Sequence, residues 1–72
     1  MAAPHEFTIQ LNGESYSLCG YVTIGALTDR LKLKRGRVAI ELNHAVVPKA
    51  EWDSVAFHPG DKVEIVNFVG GG

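Results

Sequence analysis

An Asn-Gly pair at residues 12 and 13 stands between two short segments in which apolar and polar residues alternate. Phe7, Ile9 and Leu11 are the apolar residues before the pair, and Tyr16 and Leu18 continue the alternation after it. A period of two places every second side chain on the same face of a strand. Asn-Gly favours the type I′ turn, whose two central residues both have positive φ. The pattern therefore predicts a β-hairpin over residues 6–18.

The segment that begins at Thr23 has helical spacing instead. Ile24, Leu27 and Leu31 lie at i, i+3 and i+7, which is one face of a short helix, and the Thr23 hydroxyl suits the N-cap position. We expect this unit to end at Gly36. A cluster of cations lies at the predicted helix end: Arg30, Lys32, Lys34 and Arg35. We interpret the cluster as a solvated helix terminus, where cations suit the helix dipole. The alternative is a docking patch for an acidic partner.

The second half of the chain contains three further strand signals and one compact connection. Alternation over residues 38–42 indicates the first strand. Val46-Val47 before Pro48 indicates a short edge strand, because proline has no N–H to donate and an edge position tolerates the missing hydrogen bond. After the turn signal Pro59-Gly60-Asp61, the last strand begins at residue 63 and runs to Phe68 or Val69. The connection over residues 50–57 is expected to cover the core with Trp52, Val55 and Phe57.

The predicted order of elements is β-β-α-β-β-β. This order indicates an α+β fold in which one main helix packs across a mixed sheet, and it is the order of the ubiquitin-like β-grasp architecture. A chain of 72 residues is expected to form one domain. We place the β-grasp domain at residues 1–69 and a flexible Gly-Gly-Gly tail at residues 70–72.

Composition argues against several classes of function. The net charge of −1 gives no electrostatic footprint for nucleic acid and no basic face for a membrane surface. Cys19 is the single cysteine, so no internal disulfide and no Cys-x-x-Cys metal or redox motif exists. We find no signal-peptide pattern and no apolar run of transmembrane length. Together with the lack of disulfides, these features lead us to expect a cytoplasmic protein.

Side chains with catalytic or metal-binding potential are scattered along the sequence. His5, His44 and His58 fall in different predicted loops, so we expect them at the surface and expect no metal site. We interpret Cys19 as a small filler residue, because nothing in the sequence is placed to lower its pKa. The carboxylates Asp53, Asp61 and Glu64 flank turns and are expected to solvate them.

The terminal glycines Gly70, Gly71 and Gly72 directly follow the last predicted strand. Glycine has no Cβ, so a glycine arm can pass through a slot that is too narrow for side chains. A terminal α-carboxyl has a reference pKa of about 3.5 and is an anion at neutral pH. Such a carboxylate can attack ATP to form an acyl-adenylate, and a sulfur nucleophile can then replace AMP. Gly72 is therefore the candidate sulfur-carrying group, and Gly70 and Gly71 are candidates for threading it into a partner.

Several segments of the sequence follow the pattern of one known family. They are residues 9–14, Thr23-Ile24 leading to Leu27, residues 38–43 followed by Val46-Val47-Pro48, Trp52, and residues 60–66 running into Phe68-Val69-Gly70-Gly71-Gly72. Over nearly its whole length the chain resembles the ThiS family, the sulfur carriers of thiamine biosynthesis. Two positions depart from the family pattern, because His44 stands where glycine is frequent and Asn67 stands where histidine is frequent.

The resemblance implies a carrier and not an enzyme. It implies a ThiF-like, E1-type adenylyltransferase that activates Gly72 with MgATP, while the chain itself binds no cofactor. A cysteine desulfurase or sulfurtransferase system would supply sulfur as a persulfide, and a ThiG-like thiazole synthase would receive it. We expect the free protein to be a monomer.

Other functions remain compatible with the same pattern. A MoaD-like subunit of molybdopterin synthase has the same fold and tail chemistry, although such proteins usually have proline-rich residues before their glycines. A sulfur carrier of another pathway and a ubiquitin-like conjugation protein are further alternatives. A non-catalytic β-grasp interaction module, resembling a TGS domain, is the alternative from a different functional class.

The last predicted strand also suggests a partner interface. By alternation, Val66 and Phe68 share the face of Lys62 and Glu64, which should be exposed to solvent. Large apolar residues on an exposed face often mark an interface. We therefore predict that Val66 and Phe68 dock on the activating enzyme. The alternative is that strand twist buries Phe68 at the end of the sheet.

Overall fold

Five strands and one α-helix make up residues 5–68, the part of the chain that the computed structural model describes. Two 3₁₀ turns, Arg35–Arg37 and Lys49–Glu51, lie in the connections. The elements are β1 (Glu6–Leu11), β2 (Glu14–Cys19), α1 (Ile24–Arg30), β3 (Val38–Leu42), β4 (Ala45–Val46) and β5 (Lys62–Asn67). The predicted order of elements is confirmed, and β5 ends at Asn67, just short of the predicted end at Phe68 or Val69.

The first two strands form the predicted hairpin. Asn12 and Gly13 have φ values of 50° and 84°, as a type I′ turn requires. β1 and β2 are antiparallel, with Ile9 opposite Tyr16. Ile9 is fully buried, whereas its sequence neighbours Thr8 and Gln10 are exposed. The alternation in the sequence therefore corresponds to a core face and a solvent face.

The strands form one mixed sheet in the order β2-β1-β5-β3-β4. β5 lies in the middle, parallel to β1 and antiparallel to β3. β4 is at one edge of the sheet, as Val46 before Pro48 predicted, while Val47 lies just outside the strand. The predicted α+β class and mixed sheet are both confirmed. The last strand of the described chain is thus a central strand.

Helix α1 begins as predicted and ends earlier than predicted. The Thr23 hydroxyl accepts a hydrogen bond from the Ala26 N–H at 3.1 Å, which satisfies one free donor of the first turn. The helix ends at Arg30, and Lys32 has a φ of 60°, which is outside the right-handed helical region. The predicted end at Gly36 was therefore wrong. Gly36 lies instead in the 3₁₀ turn Arg35–Arg37.

The hydrophobic core lies between the helix and one face of the sheet. Trp52 and Phe57, from the connection before β5, are buried as predicted, and Val55 is half-buried. The Trp52 indole N–H donates to the Val47 carbonyl at 2.8 Å, so its polar group is satisfied inside the core. The buried core residues are Ile9, Leu18, Val22, Ile24, Leu27, Val38, Ile40, Trp52, Phe57 and Val63.

Arg35 is not part of a simple solvated terminus, and Asp53 does not simply solvate a turn. The Arg35 guanidinium donates to both carboxylate oxygens of Asp53 at 2.9 and 3.0 Å, and to Asp29 at 3.3 Å. This hydrogen bonding holds the pKa of the Asp53 carboxyl below its usual value and raises the pKa of Arg35. A Cβ at Gly25 would overlap the Asp53 carboxylate and Arg35. Glycine at this helical position therefore permits a close approach.

Asp61 also differs from its predicted role, because its carboxylate is largely buried and holds a turn together. It accepts from the His58 backbone N–H at 2.8 Å and from the Asn43 side-chain amide at 3.1 Å. These bonds connect the loop before β5 to the turn between β3 and β4. Glu64 is exposed within β5 and does not flank a turn.

The turn between β3 and β4 has the same two-residue form as the first hairpin turn, but without glycine. Asn43 and His44 have φ values of 53° and 72°. The left-handed backbone costs an L-residue other than glycine about 1–2 kcal/mol. A glycine variant would avoid this cost, but the larger entropy of its unfolded chain would offset part of the gain in stability.

We therefore predict that His44→Gly raises the free energy of unfolding by about 1 kcal/mol, which corresponds to about 4–8 °C in Tm for a domain of this size. His44→Ala is the matched control, because alanine removes the imidazole and keeps the unfavourable φ. Thermal and urea unfolding should show a gain for glycine alone. An equal gain for alanine would mean that the His44 side chain, and not its backbone conformation, is responsible.

Candidate functional site

The candidate sulfur-carrying residue Gly72 and the tail residues Gly70 and Gly71 lie outside the described residues. The flexibility of that segment therefore stays a prediction. The structure does describe the strand that leads to them. β5 runs through the middle of the sheet and ends at Asn67. Phe68 follows it and is the last residue that the structure describes. The candidate site is therefore the C-terminal end of β5 together with its surroundings.

One side of this strand end is held by β3 and the residue before it. Asn67 lies opposite Val38, the first residue of β3. Phe68 continues the same interaction, because its backbone N–H donates to the Arg37 carbonyl at 2.7 Å. The path of the chain is consequently fixed on the β3 side up to Phe68.

The other side of β5 is held by the side chain of Asn12. The β1 backbone pairs with β5 only at Lys62 and Val63. The Asn12 backbone N–H donates to the Val63 carbonyl at 2.9 Å, and its side chain then contacts the next residue on that side, Ile65. The Ile65 N–H donates to Asn12 Oδ1 at 2.8 Å, and Asn12 Nδ2 donates to the Ile65 carbonyl at 3.4 Å.

Asn12 therefore acts as one additional residue of β1, because its amide presents a donor and an acceptor as a backbone peptide does. Within residues 5–68, Ile65 is the last residue of β5 that receives a hydrogen bond from the β1 side. Val66, Asn67 and Phe68 extend past that contact, paired on the β3 side alone. The strand is thus released from one neighbour shortly before the glycines.

The apolar residues of this strand end face solvent, as predicted. Val66 is 52% exposed and Phe68 is 55% exposed, whereas Val63 is buried and Ile65 is half-buried. Lys62 and Glu64 are exposed on the same face. The alternative, that strand twist buries Phe68, is therefore wrong. The assignment of Val66 and Phe68 to a partner interface stays a prediction.

A third exposed apolar residue lies on this face of the sheet and was not predicted. Val46 in β4 is 69% exposed and lies opposite Glu41, which in turn lies opposite Glu64. Directly opposite residues of antiparallel strands point to the same face. Val66 lies beside Ala39 in the next row. We call Val46, Val66 and Phe68 the apolar face; the strand register, which sequence alternation does not specify, brings them to the same side.

Cys19 lies far along the sheet from this site and is not a filler residue. It is exposed, and it pairs with Glu6 at the start of β1. Because β1 and β5 run parallel, the start of β1 and the C-terminal end of β5 are at opposite ends of the sheet. The interpretation of Cys19 as a small filler residue was wrong, because its side chain at the end of β2 is exposed to solvent.

The titratable side chains do not form an alternative site in residues 5–68. His5, His44 and His58 are all exposed, and no group of three or more His, Cys, Asp or Glu residues in this part of the chain is arranged to hold a metal ion. In the same part of the chain, no helix is long and apolar enough to span a membrane.

Comparison with a family model identifies the kind of protein to which this strand end belongs. The model described as "ThiS family" matches residues 9–72, a range that includes the second half of β1, all of β2 to β5 and the three terminal glycines. A crystal structure of the thiamine biosynthesis protein ThiS from Geobacter metallireducens superposes with a TM-score of 0.78 at 29% sequence identity. The superposition covers 92% of this chain and 100% of the other.

Two relatives differ in how much of their length the chain covers. A thiazole synthase of Paramagnetospirillum magneticum is 42% identical over 62 residues, which are 86% of this chain and 19% of that protein. The chain therefore spans about a fifth of that relative. The uncharacterized protein ycf40 of Porphyra purpurea is 35% identical over 65 residues, which are 90% of this chain and 92% of that protein.

The contact between Asn12 and β5 can be tested with two substitutions that resemble each other closely. Asn12→Gly keeps a residue that tolerates positive φ and removes both side-chain hydrogen bonds to Ile65. We expect a loss of about 1 kcal/mol in the free energy of unfolding and faster amide hydrogen exchange at Ile65.

Asn43→Gly is the matched control, because Asn43 has a similar φ and its Oδ1 accepts from the Lys62 N–H at 2.9 Å, at the other end of β5. This variant should accelerate local exchange at Lys62 and leave Ile65 protected beyond the change in global stability. Unchanged protection of Ile65 in Asn12→Gly would show that the contact does not hold the strand end.

Proposed function

The chain belongs to the ThiS family, and we propose that it is a sulfur carrier of thiamine biosynthesis whose working group is the α-carboxylate of Gly72. The observation that carries the proposal is the family match, which extends from Ile9 through the terminal glycines. As a member of this family the chain is a carrier and not an enzyme. The chemistry takes place on its tail, inside the active sites of partner proteins.

Activation of the tail uses MgATP that is bound by the partner. At neutral pH the carboxylate is an anion, since its reference pKa is about 3.5. One carboxylate oxygen attacks the α-phosphorus of ATP, the bond to the leaving pyrophosphate breaks, and an acyl-adenylate forms. A ThiF-like adenylyltransferase is the class of enzyme that performs this step.

Sulfur then replaces the phosphate oxygen at the carbonyl carbon. A persulfide from a cysteine desulfurase or sulfurtransferase system attacks the adenylated carbonyl, the carbon–oxygen bond to AMP breaks, and an acyl disulfide remains. A thiol supplies the two electrons that cleave the sulfur–sulfur bond, so the products are a disulfide and the thiocarboxylate of Gly72. A side-chain thiol of the carrier is not required, which agrees with the position of Cys19 at the opposite end of the sheet.

The position of β5 supports this use of the tail. β5 is the central strand, so the last described residues belong to the middle of the sheet and not to a loosely held edge. Asn12 and β3 fix the strand up to its last residues, and glycines without Cβ atoms can then enter a narrow channel. A rigid strand followed by a side-chain-free arm is suited to delivering a terminal carboxylate into another protein.

The partners follow from the proposed chemistry and from the relatives. A ThiG-like thiazole synthase is the proposed acceptor of the thiocarboxylate, and similarity to a protein named thiazole synthase supports this assignment. The apolar face is the proposed contact with the activating enzyme. Exposed apolar side chains beside the tail would be covered when the tail is inserted.

We predict that the chain supports ATP–pyrophosphate exchange by a ThiF-like enzyme and that deletion of Gly72 abolishes this exchange without unfolding the domain. The physical reason is that the deletion moves the carboxylate back by one residue along the channel. Cys19→Ser is the control and should retain full exchange and full conversion to the thiocarboxylate. Equal exchange by the Gly72 deletion would contradict the assignment of the working group, and loss of conversion in Cys19→Ser would place the nucleophile on the side chain.

We further predict that Phe68→Ala raises the apparent KM for the carrier by about thirtyfold, since truncation of an aromatic side chain at an interface hot spot costs about 2 kcal/mol. Tm should change little because Phe68 is more than half exposed. Tyr21→Ala is the matched control, since Tyr21 is 78% exposed and follows β2 at the opposite end of the sheet. A large loss of stability with normal kinetics would assign Phe68 to the core.

A further inference from the structure

Positive charge is concentrated in one short segment next to the C-terminal end of β5. Five of the seven Lys and Arg residues of the chain lie within residues 30–37, although the whole chain has a net charge of −1. The five residues are Arg30, Lys32, Lys34, Arg35 and Arg37. We propose that Lys34 and Arg37 bind an acidic surface that surrounds the tail channel of the activating enzyme. This inference rests on the proposed function and names the chemistry of its partner surface.

Backbone hydrogen bonds place Arg37 beside Phe68, the last described residue, and Lys34 one turn away from Arg37. The Arg37 carbonyl accepts from the Phe68 N–H at 2.7 Å, so Arg37 is the immediate neighbour of the residue that follows β5. The Arg37 N–H donates in turn to the Lys34 carbonyl at 2.9 Å, which closes a single turn. Both residues are exposed. Two cationic side chains therefore border the point at which the chain departs toward Gly70.

The helix dipole does not account for these two cations. Its effect is confined to the last turn of a helix, and α1 ends at Arg30. Lys32, with its φ of 60°, then turns the chain away from the helical path before Lys34 is reached. A cation at Arg30 is explained by the helix terminus, whereas Lys34 and Arg37 lie too far along the chain for the same explanation.

Internal ion pairing does not account for them either. Arg35 makes the contacts with Asp29 and Asp53, and no ion pair of Lys34 or Arg37 occurs within residues 5–68. After these two carboxylates are counted against the five cations, three positive charges remain around the segment. The excess acidic charge lies elsewhere, for example at Glu41 and Glu64 on the sheet face and at Glu14 beside the first hairpin turn.

This distribution of charge favours an acidic protein surface as the partner that contacts Lys34 and Arg37. A nucleic acid would have to approach a chain of net negative charge, and its phosphates would meet the carboxylates of the sheet face. A carrier that presents its tail beside positive charge is instead oriented correctly as it approaches an acidic channel entrance. Electrostatic complementarity of this kind raises the association rate and fixes the register of two proteins.

The test is ATP–pyrophosphate exchange with the double variant Lys34→Glu/Arg37→Glu. Arg30→Glu/Lys49→Glu is the matched control, because it changes the net charge equally at two exposed cations that neither belong to the proposed contact nor lie on the strand face of Val66 and Phe68. The substitutions keep the backbone groups that contact Phe68, so unfolding measurements should show folded proteins. We expect the apparent KM of the first variant to rise at least tenfold at low salt, with kcat unchanged, and the rise to shrink as salt is added. The control should keep KM within about twofold of the wild-type value at any salt concentration.

The outcomes separate this inference from the function on which it rests. Normal exchange by the wild-type chain together with equal KM values for the two double variants would overturn the inference alone. A change in kcat without a change in KM would also overturn the inference, because a contact that only docks the carrier should change KM. Retention of the wild-type chain on single-stranded DNA at about 0.15 M salt, lost in Lys34→Glu/Arg37→Glu, would assign the surface to nucleic acid. Failure of the wild-type chain to support any exchange would overturn the proposed function and this inference together.

Discussion

Two asparagine side chains hold the central strand β5, one near each end of the strand. The position of the strand end that leads to the glycines depends on these two contacts. Asn12 and Asn43 each lie in a two-residue turn with positive φ, where asparagine is tolerated because its short side chain can bond to backbone groups. Asn43 bonds to the Lys62 N–H at the start of β5, and Asn12 bonds to Ile65 near its end. In each turn the asparagine amide thus adds hydrogen bonds to β5 beyond the last backbone pair, next to β1 for Asn12 and next to β3 for Asn43.

The two faces of the sheet have different surroundings, because alternation along β5 places one set of side chains in the core and the other in solvent. Val63 packs into the core beneath the helix, whereas Val66 and Phe68 remain at the surface. A domain of this size has few residues with which to build a core, so its burial must be concentrated on one face. The connection before β5 contributes Trp52 and Phe57 to that core. Val66 and Phe68 therefore remain exposed on the opposite face, where we propose that the activating enzyme docks.

Features that depend on neighbouring residues could be predicted from the sequence. The Asn12-Gly13 turn and the Thr23 cap are local, because the turn conformation and the capping hydrogen bond involve residues at most three positions apart. The exposure of Phe68 followed from a period of two. The resemblance to the ThiS family also rested on residues that keep the same spacing.

Features that depend on distant residues could not be predicted in this way. The contact between Arg35 and Asp53 joins residues 18 positions apart, and no local pattern indicates it. The left-handed conformation of Lys32 ends the helix although lysine itself favours helices, so the predicted end at Gly36 failed. The contact of Asn12 with Ile65 spans 53 positions and depends on the parallel pairing of β1 and β5.

The intact mass of the protein isolated from its native cell shows directly whether the carboxylate of Gly72 carries sulfur, as we propose. We expect a population whose mass increases by the exchange of one oxygen for sulfur, with the change located by fragmentation at Gly72. Treatment with a thiol-alkylating reagent should modify that group as well as the exposed Cys19. A protein that contains only the carboxylate in cells that are actively making thiamine, or sulfur attached only at Cys19, would show that Gly72 is not the sulfur-carrying residue.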